Sequence, residues 1–201
     1  MRKADPIRIR QQRERIIRAA LKCFARKGVH GTTTDDVCRA AGIGPGTLYY
    51  YFKSRDGLIH DVILHAHATR DAAIGDLGSS PNLLDAMIEA NASALQAARN
   101  QGVKADVLLE LIAYASRNKA AQAAFRDATR RGMEIVSAAV RKHQEAGNIP
   151  GHIPADSLTL LLALTNLGIP ILEITDGEFA HDAYRDKMAA LLHGIGRTRT
   201  E

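Results

Sequence analysis

Gly42-Ile43-Gly44-Pro45-Gly46-Thr47-Leu48-Tyr49-Tyr50-Tyr51-Phe52-Lys53 is the stretch that decides how the rest of this 201-residue chain is read. Aromatic residues make up only 4% of the sequence, yet four stand here in a row. At 3.6 residues per turn, three consecutive tyrosines fan round most of a helix and cannot all be buried. Leu48 and Phe52, four apart, share one side and face a core. Thr47 and Tyr50 point away from it, and Tyr49 and Tyr51 flank the boundary. The stretch therefore reads as a short helix with an apolar back and a front of hydroxyls that ends in a lysine. Such a front offers hydrogen bonds and a cation to phosphate oxygens and base edges. Pro45, with glycines before it, suits a helix start, because proline lacks an N–H that would go unpaired there.

Working outward, residues 1–8 read as a loose basic arm. From about Ile9 to Lys27 the period is helical, with Ile16, Ala20 and Phe24 on one stripe and arginines or lysines on the rest. Gly28 follows as a C-cap. After a turn, Thr34 suits an N-cap, and Asp35 and Asp36 sit where the helix dipole favours negative charge. This second helix turns Val37, Ala40 and Ala41 inward and stops at Gly42. Helix, short glycine turn, helix is the helix-turn-helix arrangement, and with the first helix it makes a three-helix bundle.

Residues Thr34 to Leu58, T-x-x-V-C-x-A-A-G-I-G-P-G-T-L-Y-Y-Y-F-K-S-R-D-G-L, closely resemble the DNA-binding signature of TetR-type transcriptional repressors. The resemblance covers roughly residues 9–60. Two positions depart from it: Cys38 stands where alanine is usual, and Gly44-Pro45 replaces a Ser-Lys kind of start. The second departure removes a capping hydroxyl and a basic phosphate contact. The resemblance implies that Thr34 bonds a backbone phosphate and that Pro45, Gly46, Thr47 and Tyr50 face the groove. It also implies that Tyr49, Tyr51 and Lys53 anchor phosphates, with Arg55 beside them. Outside that motif, Lys53 and Arg55 would read as plain surface charges.

The charge distribution fits. Up to Asp56 there are 13 Lys/Arg against 5 Asp/Glu, a net +8; from Gly57 onward there are 14 against 17, a net −3. A basic head on a mildly acidic body suits a polyanionic partner. The absence of Trp, the wealth of Ala and Leu and the small amount of Pro favour an all-α protein. We expect a DNA-binding domain over residues 1–56 and a regulatory, ligand-binding and dimerisation domain over 57–201, about nine helices in all. Ser54 caps the fourth helix. Further helical segments lie at about 81–100, 103–118, 119–145, 155–173 and 178–192. The first residues are too polar for a signal peptide, and the run Leu158–Leu172 is too short and interrupted to span a bilayer. Cys23 and Cys38 read as small buried residues of a reducing compartment, so the expected location is cytoplasmic, with no membrane.

In the body, the stretches Ala115–Arg131 and Gln144–Pro150 resemble the betaine-responsive branch of the same family. The last two long segments carry wide apolar faces: Leu160, Leu164, Leu167 and Ile171 on one, Met188, Leu191 and Leu192 on the other. They read as a homodimer interface, the alternative being intrachain core. Pairing would set two recognition helices about 34–36 Å apart on successive major grooves. Candidates for a small-molecule effector pocket are Asn91, Glu110, Tyr114 and Asn166, with Met87 and Phe125 as walls; each alone also reads as a satisfied polar or core position. His60 and His67 share a helix face but lack a third ligand at metal spacing, so no metal is expected.

The chain therefore reads as a ligand-responsive regulator, a repressor released from a palindromic operator by its effector. An enzyme is disfavoured: no nucleophile elbow, Walker loop or HExxH occurs, and the Gly42–Gly46 run has Thr47 where a dinucleotide fingerprint needs its third glycine. No cofactor is expected. A nonspecific DNA-binding or architectural protein is the alternative, for which a body of about 140 residues is larger than needed.

Overall fold

Asp5 starts the first helix: its carboxylate accepts the Ile7 N–H at 3.0 Å, and Pro6 occupies the first helical position. The computed structural model describes residues 5–100 and 105–175, with the single positions 186, 187, 190 and 194 beyond them. Along these run α1 (Pro6–Gly31), α2 (Thr34–Ala41), α3 (Pro45–Phe52) and α4 (Arg55–Ile74), then a 3-10 turn at Leu77–Ser79. They are followed by α5 (Leu83–Asn100), α6 (Ala105–Ala115), α7 (Lys119–Glu145) and α8 (Ala155–Thr175). The described residues contain eight α-helices and no strand. The ninth segment, at about 178–192, falls mostly outside the described residues, and so do Met188, Leu191 and Leu192.

The starts of α1 and α2 differ from the reading of the sequence. The capping by Asp5 carries α1 further toward the N-terminus, so part of the supposed basic arm is helical. The N-cap of α2 is Thr33, not Thr34. Thr33 Oγ1 accepts the Asp36 N–H at 3.2 Å, and Asp36 Oδ2 accepts the Thr33 N–H at 3.1 Å. This reciprocal box needs an acceptor three residues after the cap. Thr33 finds Asp36 there, whereas Thr34 would find Val37. Lys27 Nζ bonds the same carboxylate at 2.6 Å. The Lys27 ammonium and the Thr33 donors hold the Asp36 carboxyl far below the usual carboxylate range.

By contacts the chain divides into two compact units, one of Met1–Ala68 with Ala97–Ala128, the other of Thr69–Gln96 with Thr129–Glu201. The expected 1–56 segment lies wholly within the first. That unit closes over a core in which Ile16, Ala20, Phe24, Leu48, Phe52, Leu58 and Val62 are all buried. Cys23 and Cys38 lie in it as free thiols. The second unit has its own core, from Ile74, Leu83, Met87, Val136, Val140, Leu158 and Leu162.

Arginines close the short helices of the first unit. A helix leaves its last carbonyls without partners. Arg15 Nη2 donates to Ala41 O at 2.5 Å at the end of α2, and Arg13 Nη1 donates to Tyr51 O at 2.9 Å at the end of α3. Arg13 also pairs with Asp61 of α4 and lies 5.0 Å over the Phe52 ring. α1 thus holds both helices of the turn by side chains as well as by its apolar stripe.

Two measurements check this packing. Leu48→Ala is expected to lower stability by about 3 kcal/mol, as for a fully buried leucine, while Tyr50→Ala, on the exposed face of the same helix, should change it by less than about 0.5. Denaturant titration of both variants reads the difference. A carboxylate with a depressed folded-state pKa adds stability above its unfolded pKa, and that stability is lost as pH falls through the folded value. Wild type should therefore lose stability steadily below about pH 4. Asp36→Asn, which lacks this group, should show a lower plateau above that pH and a shallower decline below it, in thermal melts across pH.

Candidate nucleic-acid interface

The front of α3 is open to solvent because its back is fully used. Leu48 and Phe52 are buried, while Pro45, Gly46 and Thr47 are exposed, Tyr49 is 45% exposed and Tyr50 62%. Tyr51 is half-buried against the core, its ring edge-on to Tyr50 at 5.1 Å. Pro45 fills the first helical position, and Gly44 precedes it without any side-chain cap. A Cβ at Gly44 or Gly46 would meet nothing within 4 Å. The glycines therefore leave bare backbone at the helix start, facing open space. Thr34, the first residue of α2, is half-buried.

Lys53 ends α3 in an uncommon backbone state, φ 60°. The turn around it fixes that state. Lys53 N donates to Tyr49 O at 3.0 Å, and Ser54 N to Phe52 O at 2.6 Å. A Cβ at Gly57 would run into the Phe52 carbonyl, so only glycine lets α4 start so close. Ser54 Oγ accepts the Gly57 N–H at 3.0 Å, the helix cap the sequence suggests. The exposed Lys53 is thus aimed by a tightly held turn.

Arg55 does something the sequence does not announce. Its Nη2 donates to Val29 O at 2.6 Å and its Nε to Thr32 O at 3.4 Å, at the end of α1. Arg13, Arg15, Lys27 and Arg39 are likewise bonded within the first unit. The Arg55 guanidinium also lies 6.0 Å from the centre of the Tyr114 ring. Tyr114 donates to Asp56, and burial, then that carboxylate, pushes its phenol up to about 12. Asn118 reaches the same carboxylate at 2.9 Å. Glu110, one turn before Tyr114, accepts the Val29 N–H at 2.5 Å. No signal in the sequence linked these residues, which lie about 60 to 80 positions apart.

The effector candidates fall in both units. Glu110 and Tyr114 turn toward the helix-turn-helix segment, and Phe125 stacks edge-on against His67 at 5.2 Å in the same unit. Met87, buried, and Asn91, half-buried, belong to the second unit; the side chain of Asn166 lies outside the described residues. An open cleft of about 570 Å³, lined by Arg26, Lys27, Asp36, Arg39 and Ala40, lies on the head. On α8, Leu160, Leu164 and Ile171 are 50%, 57% and 45% exposed; the Leu167 side chain is outside the described residues. Among the described residues, no helix is long and apolar enough to cross a membrane.

Known proteins resemble this chain. Residues 16–62 match the family of bacterial regulatory proteins of the tetR type. The Escherichia coli K12 HTH-type transcriptional regulator UidR is 27% identical over 184 residues, 91% of this chain and 92% of that one. The Salmonella enterica GusR structure superposes with a TM-score of 0.77 at 23% identity, covering 98% of this chain and all of that one. The Bacillus subtilis transcriptional regulator FadR, solved in complex with stearoyl-CoA, superposes with a TM-score of 0.74 at 15% identity, over 90% and 98% of the two chains. Residues 16–62 therefore resemble the head of the tetR family of bacterial regulatory proteins, and the chain shares its fold with the superposed structures.

Proposed function

We propose that the chain is a ligand-responsive transcriptional regulator, a repressor that binds a palindromic operator as a homodimer and releases it when a small molecule fills the body. The observation that carries this reading is the front of α3, where Thr47 and Tyr50 stand in solvent on a helix pinned by Leu48 and Phe52. Pro45, Gly46, Thr47 and Tyr50 enter the major groove. Thr34, Tyr49, Tyr51 and Lys53 take phosphates. Arg55 contributes by holding the end of α1 rather than by reaching DNA. With no amide or charged side chain at the start of α3, base choice rests on Thr47, Tyr50, close backbone approach at Gly44 and Gly46, and DNA shape.

Pairing of two copies through α8 is supported by Leu160, Leu164 and Ile171, an apolar row standing in water on one helix. Leu167 continues the row in sequence, and Met188, Leu191 and Leu192 supply the other half of the interface. For the effector, Met87, Asn91 and Asn166 are the candidates that the head leaves unused; the FadR complex with stearoyl-CoA supports a bound ligand in this fold. The likeness of Ala115–Arg131 and Gln144–Pro150 to the betaine-responsive branch makes small quaternary ammonium compounds the first class to screen. Such a ligand acts only through unequal affinity for the DNA-bound and released arrangements.

Mobility shifts on genomic fragments at physiological salt test the reading directly: a fragment held no more tightly than random DNA would sink it. Thr47→Ala and Tyr50→Ala are expected to reduce the preference for that fragment, by about 1–3 kcal/mol for each lost base contact. Lys53→Ala should weaken binding to every sequence alike and lower the slope of log affinity against log salt by about one. Leu164→Glu should convert a dimer into a monomer in sedimentation velocity, and a dimer that survives it places the interface elsewhere.

A further inference from the structure

α6 carries Glu110 and Tyr114 one turn apart on a single stripe, and Asn118 follows in the same register. All three bond to the DNA-binding segment. Tyr114 and Asn118 hold Asp56 at the start of α4, and Glu110 holds Val29 at the end of α1. The Glu110 contact is the most demanding. Gly28 interrupts α1 at φ 74°, ψ 165°, backbone that is essentially reserved for glycine. The break turns the N–H of Val29, a fully buried residue, away from the helix ladder, and the Glu110 carboxylate receives it. A Cβ at Gly28 would stand 2.9 and 3.0 Å from the two Glu110 oxygens. Glycine leaves the space and glutamate fills it, so the two residues make one joint. Arg55 fixes the other side of the same turn through Val29 O and Thr32 O. Thr33 follows immediately, and its box with Asp36 sets the start of α2.

We propose that Glu110 is a positioning residue for DNA recognition. By satisfying the Val29 N–H it holds the Gly28 break, and through the Thr32–Thr33 turn it fixes how α2 and α3 are presented. This rests on the DNA-binding reading above. Glu110 touches no DNA; its removal loosens register rather than contact. Phosphate contacts tolerate a small shift, base contacts do not, so the signature is a loss of discrimination.

The test compares wild type with Glu110→Ala, Glu110→Asp and Glu110→Gln as full-length chains. Each is titrated at one salt concentration against a duplex selected by wild type from a random pool, and against an unselected duplex. Amide hydrogen exchange at Val29 and thermal midpoints are measured alongside. Glu110→Ala and Glu110→Asp, the latter one methylene too short, should lose about tenfold in the ratio of selected to unselected affinity, the order of one mismatched base pair. Their affinity for the unselected duplex should change less than about twofold, and Val29 should lose protection. Glu110→Gln keeps an acceptor oxygen and should keep both ratio and protection. A folded Glu110→Ala or Glu110→Asp with an unchanged ratio overturns the proposal. So does an equal loss on both duplexes, or Val29 protection that stays as in wild type. If wild type itself prefers no sequence, the regulator reading fails, while Val29 exchange still reports on the joint.

Discussion

Three helix ends in the first unit depend on arginine donors. The carbonyls at the ends of α1, α2 and α3 would otherwise need water or turns of their own, since a helix leaves its last carbonyls unpaired. Arg55, Arg15 and Arg13 supply the donors, reaching Val29 O, Ala41 O and Tyr51 O. Helices of eight residues, such as α2 and α3, are too short to persist in isolation. They persist here because their apolar faces meet the stripe of α1 and their ends are closed by charged side chains. The arrangement is a set of fixed angles, which a reading helix needs.

That arrangement also changes the meaning of the basic head. Its net +8 looks like a charge reserve for a polyanion. Arg13, Arg15, Lys27, Arg39 and Arg55, however, are bonded within the first unit, to carbonyls or to Asp36 and Asp61. Lys53 stands out of that set, exposed at the end of α3 on a turn crowded by Gly57. Positive charge in this region thus divides: part of it ties the helices together, and Lys53 is left for the proposed phosphate contact.

Much of this was legible in the sequence because it is local. The spacing of Leu48 and Phe52 gave the back of α3, Pro45 its start, and Gly42 the left-handed residue that ends α2, with φ 61°. The Ser54 cap and the buried cysteines follow from the same kind of reasoning. Other features depend on more than local pattern. Thr33 rather than Thr34 caps α2, because the reciprocal bond needs Asp36 three residues on. Gly28 is a break inside α1 rather than its last cap. Glu110 and Tyr114 looked like pocket residues, being polar groups on an apolar helix, and that pattern is the same whether the partner is a ligand or another part of the chain.

The sequence by itself determined the helices, the amphipathic recognition element and the resemblance of residues 34–58, because helix period, capping and turn chemistry act within a few residues. The tertiary structure alone decided which cations stay inside the head, which carboxylate meets the buried Val29 N–H, and that α6 joins the same compact unit as the helix-turn-helix. Those outcomes depend on desolvated donors finding acceptors far along the chain. Such pairings carry no periodic signature, since a buried polar group needs only one well-placed partner, from whatever position the fold supplies.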